Sequence, residues 1–137
     1  MAQQYAKDQP AGFKNHVEAV AIVGATGSVG AHINEHLVKT GKHTVTAITR
    51  AGSKSKMPEG VKTASVDYDD ESTLVQALKG QQALIITMRA GPEGMEATLK
   101  LIRAAAKAKV DWIMPNEYGP DVVARPDMGN VSLAPAV

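Results

Sequence analysis

The stretch Val17-Glu18-Ala19-Val20-Ala21-Ile22-Val23, followed at once by Gly24-Ala25-Thr26-Gly27-Ser28-Val29-Gly30, decides the fold. The first half is a short, mostly apolar run bounded by glycine, which predicts a strand buried on both faces. Beyond the glycines, Val29, Ile33 and Leu37 recur every fourth position and predict one buried face of a helix over Ser28 to Thr40. Strand, glycine turn and helix in that order form a dinucleotide-binding fingerprint. Gly24 permits the tight turn, Gly27 lets the backbone approach a pyrophosphate, and Gly30 allows close packing of the helix. Backbone N–H groups around Thr26, Ser28 and Val29 would meet the phosphates at the helix N-terminus. A P-loop is excluded, because no Lys-Ser/Thr pair follows the last glycine.

Outward from this stretch, the pattern repeats. Gly41 stands at a helix C-terminus, and the β-branched Thr44 to Thr49 reads as a second strand. Arg50 to Gly60 is a polar, basic loop, and Val61 to Val66 a third strand. Asp69, Asp70 and Glu71 mark the acidic start of a helix whose buried face is Leu74, Val75, Ala77 and Leu78. Ala83 to Thr87 reads as a fourth strand, Met95 to Lys107 as an alanine-rich helix with Met95, Leu99 and Ile102 in its core face, and Trp112 to Met114 as a fifth strand. Strands alternating with helices across short links predict an α/β fold of the Rossmann type, with a doubly wound parallel sheet in a single domain. The expected organisation is a flexible tail over 1–16, the dinucleotide-binding domain over 17–121 and an irregular tail over 122–137.

Composition narrows the function. The 137 residues carry a net charge of +1, so no global field points to nucleic acid or an acidic membrane. With no cysteine there is no disulfide, thiolate nucleophile or cysteine zinc site. No apolar run is long enough to span a bilayer and the start has no secretory h-region, so the expected location is the cytoplasm. His32 and His36 share a helix face at i, i+4, but without a carboxylate or cysteine partner they read as a solvated face, and no metal site is expected.

The end of the second strand reports on the cofactor. An NAD site places Asp or Glu there, against the ribose 2′-hydroxyl. This chain has Thr49-Arg50, and arginine suits the 2′-phosphate of NADP. Ser53, Lys54 and Lys56 in the same loop could add donors; the alternative is a solvated basic loop. Asp67 falls where the adenine edge is expected, or else caps the next helix. The carboxyl end of the fourth strand supplies Thr87, Met88 and Arg89 to the crevice, and Thr87 and Met88 are positioned to line the ribose and nicotinamide. Asn116 or Tyr118, after the fifth, could bond the carboxamide or a substrate oxygen. Tyr118 is the fallback general acid, or alternatively packs its loop against the sheet.

These residues together resemble the NmrA-like and isoflavone-reductase-like branch of the atypical short-chain dehydrogenases. The resemblance rests on Val23 to Gly30, on Thr49-Arg50, on Val66-Asp67-Tyr68-Asp69-Asp70, and on Met114-Pro115-Asn116-Glu117-Tyr118-Gly119-Pro120-Asp121, the last most like fungal members. It implies NADP (NADPH) as cofactor and hydride transfer to a small-molecule substrate of the secondary-metabolite kind. The alternative is an NmrA-type regulator that senses the dinucleotide without turnover, or a truncated copy that binds NADP only. Two departures bear on this choice. Family members are considerably longer, and reductases of this branch carry a catalytic lysine after the Asn-Glu-Tyr-Gly-like segment, whereas no lysine follows Lys109 here. The Tyr-x-x-x-Lys pair of ordinary short-chain dehydrogenases is absent too, since Val122 stands four residues after Tyr118. No nucleic-acid or membrane partner is expected, and a homo-oligomer is left open.

Overall fold

Val20, Ala21, Ile22 and Val23 present apolar side chains to both sides of a strand, so that strand needs a layer on each face. In the computed structural model, which describes residues 17–89 and 91–118, this strand lies at the centre of the sheet with helices on both faces. Five strands run parallel: β1 (Ala19–Val23), β2 (Thr44–Arg50), β3 (Lys62–Val66), β4 (Ala83–Ile86) and β5 (Trp112–Met114). Their order is β3-β2-β1-β4-β5. Helix α1 (Ser28–Lys39) links β1 to β2, α2 (Glu71–Leu78) links β3 to β4, and α3 (Pro92–Lys107) links β4 to β5. The chain winds outward from β1 to β3, then restarts beside β1 at β4. This is the doubly wound Rossmann arrangement, with its topological switch between β1 and β4. Val23 is in register with Ile48 of β2 and Ile86 of β4, so the carboxyl ends of the three central strands finish together and open one crevice.

The two faces have separate cores. Ala21, Val23, Ile48, Leu84 and Ile86 pack with Leu74 and Leu78 of α2 and Leu101, Ala104 and Ala105 of α3. On the other face Val20, Ile22, Val45, Ala47 and Ile85 form the core, with Ile33, Leu37 and Val38 of α1 against it. Of the sheet's edges, β3 is polar, with Lys62, Thr63 and Ser65 exposed, as suits an edge strand. At the other edge, Trp112 is 66% and Met114 52% exposed. Register pairs them with Ala83 and Ile85, so both lie on the α1 side of the sheet.

The helix faces differ from the expectation in two places. In α1 the fully seated positions are Gly30 and Asn34, whereas Val29 is exposed and Ile33 and Leu37 are half-buried. The close seat of Gly30 at the strand ends sets the rotation of the helix and turns Val29 outward. In α3 the core positions are Ala97, Leu101, Ala104 and Ala105. Met95 is 64% and Leu99 47% exposed, and Ile102 sits at the margin of the core. Alanines let the helix lie close to the sheet, and the larger side chains fall on its outward flank. α3 also begins at Pro92, three residues before Met95. A proline loses nothing at the first helical position, where its missing N–H has no partner to bond. The expected tails over 1–16 and 122–137 lie outside the described residues.

Candidate functional site

The crevice at the switch point is built on the glycine turn. Gly24 has φ +78°, a conformation side chains rarely adopt, and a Cβ there would stand 1.9 Å from the Thr87 carbonyl oxygen. The Gly27 N–H donates to the Gly24 carbonyl at 2.9 Å and closes the turn. A Cβ on Gly30 would stand 2.0 Å from that same carbonyl oxygen. The third glycine therefore seats α1 on the turn itself as well as on the sheet. The Thr87 hydroxyl points into this assembly, bonding the Val23 carbonyl at 2.7 Å and the Gly24 carbonyl at 3.2 Å. Its role in the structure is to brace the loop from behind.

Among the described residues no side chain caps the N-terminus of α1. Its first intrahelical bond runs from the Ala31 N–H to the Gly27 carbonyl, so the N–H groups of Ser28, Val29 and Gly30 precede the ladder. They offer donors and the positive end of the helix dipole to an anion. A cleft of about 240 Å³ starts beside this turn. Gly24, Ala25 and Thr26 form one wall, Thr49 and Arg50 another, and Met88 and Arg89 a third. Along the basic loop Ser53, Ser55 and Met57 line it. Lys54 and Lys56 are exposed and line none of the three cavities around Arg50.

Arg50 occupies the meeting point of those cavities. Its guanidinium lies 5.9 Å from the centroid of the Tyr68 ring, within range of a cation–π contact. Burial pushes the Tyr68 phenol above its ordinary pKa, and the Arg50 charge opposes that rise. Beyond Arg50 and Tyr68 lies a cavity of about 550 Å³, with Asp67, Asp69, Glu93 and Lys100 in its walls. Another of about 610 Å³ is bounded by Arg50, Met88, Arg89 and the start of α3. Asp67 accepts the Asp69 N–H at 2.9 Å, whereas the cap of α2 is Asp70, which accepts from the Ser72 N–H at 3.0 Å. Asp67 thus keeps a carboxylate on the cavity wall without being the helix cap.

Two expected residues lie farther along the sheet. The Asn116 amide donates to the Met88 carbonyl at 2.8 Å and ties the loop after β5 to the loop after β4. Tyr118 is partly exposed, and burial pushes its phenol up. The structure therefore brings together Gly24, Thr26, Arg50 and Met88 in one cleft, with Asp67 next door, and sets Lys54 and Lys56 outside it. Sequence reasoning missed Tyr68 as a wall residue; its signal was position, one residue past Asp67. Arg89, which the sequence supplies with Thr87 and Met88 at the end of the fourth strand, lines the cleft too. Among the described residues no group of His, Asp and Glu is disposed to hold a metal, and no helix is long and apolar enough to cross a membrane.

This donor set fits a phosphorylated dinucleotide: an uncapped helix start, a turn with no room for a Cβ at Gly24, and a cation at the end of β2. The NmrA-like family model matches residues 16–130. Oxidoreductase aprR of Aspergillus flavus is 42% identical over 103 residues, which make up 74% of this chain and 34% of that protein. A crystal structure of isoflavone reductase matches with a TM-score of 0.65 and 30% identity, over 78% of this chain and 38% of that one. The NADPH complex of quinone oxidoreductase QOR2 from Escherichia coli matches with a TM-score of 0.61 and 32% identity, over 69% of this chain and 35% of that one. The chain spans about a third of the length of the curated relatives it matches.

Proposed function

The chain belongs to the NmrA-like family, and from that premise we propose that it is an NADPH-dependent oxidoreductase of the isoflavone-reductase-like kind, acting on a small acceptor of the secondary-metabolite type. The observation that carries this reading is the single cleft walled by the glycine turn on one side and by Arg50 on another. When bound, NADPH supplies a hydride to an electrophilic carbon of the acceptor. The residues of the chain then have distinct tasks. Backbone N–H groups of Ser28, Val29 and Gly30 hold the pyrophosphate at the start of α1. Arg50 bonds the 2′-phosphate, with Ser53 and Ser55 as neutral donors beside it. Thr87 keeps the turn in shape through the Val23 and Gly24 carbonyls. Asp67 faces the adenine edge, and Met88 lines the crevice toward the reacting end.

An acceptor carbonyl that takes a hydride needs a proton or a positive charge at its oxygen. Tyr118 is the phenol on the carboxyl side of β5 and is the proposed donor. Tyr118 lines none of the cavities described around Arg50. That observation favours a second reading, in which the chain binds the dinucleotide and responds to it without turnover. Single-turnover oxidation of bound NADPH by enone and aryl-ether acceptors separates the two. Oxidation that Tyr118→Phe abolishes supports the reductase with Tyr118 as acid. Tight NADPH binding with no oxidation by any acceptor supports the second reading.

A further inference from the structure

The segment Arg50-Ala51-Gly52-Ser53-Lys54-Ser55-Lys56 sets two hydroxyls among cations, with no carboxylate before Glu59. Residues 51–56 are exposed, and from Ser53 to Pro58 the chain is neither helix nor strand. Such a segment can enter another protein's cleft without breaking a hydrogen-bonded ladder. At its root the Ser53 N–H donates to the Arg50 carbonyl at 3.0 Å, so a turn holds Ser53 beside the end of β2. Protein kinases select a serine by the charges around it. This loop offers an arginine three residues before Ser53, and a lysine on either side of Ser55.

Ser53 differs from an ordinary surface serine in what surrounds its oxygen. Its hydroxyl donates to the Ser55 Oγ at 3.3 Å and accepts the Ser55 N–H at 3.4 Å. Both serines line the 240 Å³ cleft with Arg50, and Arg89 stands in the same wall set. Glu93 lines the two larger cavities that share Arg50 and offsets part of the arginine charge from there, but it is not in the wall of this cleft. A phosphate on Ser53 therefore has donors in place: the Ser55 N–H and hydroxyl, and the Arg50 guanidinium. These are the groups assigned above to the 2′-phosphate of the cofactor. A tethered phosphate competes at high effective concentration with one captured from solution. Its charge of about −1.5 to −2 also repels the cofactor's own phosphate.

We propose that Ser53 is a phosphorylation site through which a protein kinase that reads basic residues switches off NADPH binding. The proposal rests on the reading of this cleft as a dinucleotide site. In the transfer, the Ser53 Oγ forms a bond to the γ-phosphorus of a nucleoside triphosphate. The bond from that phosphorus to the β–γ bridging oxygen breaks, the nucleoside diphosphate leaves, and the hydroxyl proton passes to the base of the kinase.

The test compares three preparations of the purified chain. One is unmodified, one carries phosphoserine at position 53 by genetic-code expansion, and one is treated with Mg-ATP and a kinase that selects arginine three residues before serine. Phosphopeptide mass spectrometry is expected to place the kinase's product at Ser53. Saturating NADPH is expected to slow that modification, because the competition is reciprocal. Each preparation is then titrated with NADPH and NADH, with far-UV circular dichroism to confirm that it is folded. The phosphate is expected to weaken NADPH by about a hundredfold and NADH by less than about threefold. Phosphatase treatment of the kinase product is expected to restore NADPH binding. A chain that the kinase leaves unmodified at Ser53 would overturn the proposal, as would NADPH affinity unchanged by phosphoserine. Equal weakening of both nucleotides would overturn it too, since the phosphate would then act on the parts they share. In all three cases an unmodified chain that prefers NADPH leaves the dinucleotide reading intact; an unmodified chain that binds neither nucleotide removes that reading, and this proposal with it.

Discussion

The α-carbon of Gly30 is pressed against the carbonyl oxygen of Gly24, leaving only 2.0 Å for any Cβ that Gly30 might carry. The first and third glycines of the loop are thus one packing unit, with the Thr87 hydroxyl 2.5 Å from the same Cβ position. Gly30→Ala is expected to push α1 away from the turn at a cost of about 2–3 kcal/mol, because a backbone carbonyl cannot step aside as a flexible side chain can. The melting temperature should fall by roughly 10 °C or more. Gly27 makes the contrasting case. Its φ of −74° suits any residue, and a Cβ there would meet the Gly24 carbonyl only at 3.3 Å. Gly27→Val should therefore keep the far-UV spectrum and lose NADPH binding, because the branch stands where the phosphates must approach. If Gly30→Ala melts like the wild type, the contact does not hold the turn.

The start of α2 gives a pH-dependent prediction. Asp70 accepts hydrogen bonds from the Ser72 hydroxyl and backbone N–H, which hold its carboxyl below the ordinary aspartate pKa. A group whose folded pKa is depressed contributes stability above its unfolded pKa and loses it as pH falls through the folded value. Asp70→Asn should therefore be less stable than the wild type at neutral pH. The gap should close as the solution is acidified past the usual carboxylate range. Melting curves of both proteins over that interval measure it, and a gap independent of pH would show that the Asp70 charge contributes nothing to the cap.

Asn34 is fully buried on the sheet side of α1, and neither end of its amide has a partner among the described residues. An unsatisfied buried polar group costs about 1–3 kcal/mol. Leucine has the same branching at Cγ and no polar atom, so Asn34→Leu should gain about 1 kcal/mol and melt roughly 4–8 °C higher. A lower melting temperature would mean that the site cannot accommodate the extra volume or that the amide is satisfied in solution.

Much of this arrangement was legible in the chain because it is written locally. The short run Val20 to Val23, bounded by glycine and followed by a helix-period stripe, reads as a buried strand, and the glycines after it as a turn. Strand–helix alternation with a fixed crossover hand then leaves few sheet orders. Arg50 announced itself by standing at the end of the second strand. What stayed hidden depends on contacts made across the fold. The outward turn of Val29 follows from the seat of Gly30. The exposure of Met95 and Leu99 follows from alanines bringing α3 close to the sheet. The direction of the Thr87 hydroxyl, toward a carbonyl 64 residues earlier, has no signature in its neighbours. The same holds for Lys54 and Lys56: composition marks the loop as basic, but which of its side chains line the cleft, Ser53, Ser55 and Met57, depends on a loop conformation with no local signature.

The most direct measurement of the central claim, that this crevice holds NADP through Arg50, is a paired titration of the wild-type chain and Arg50→Ala with NADPH and NADH. A lost charge-assisted hydrogen bond is worth about 1.5–3 kcal/mol, so the substitution should weaken NADPH by roughly ten- to a hundred-fold. NADH, which has no 2′-phosphate, should bind the two proteins alike. Equal losses for both nucleotides, or none for NADPH, would contradict the account.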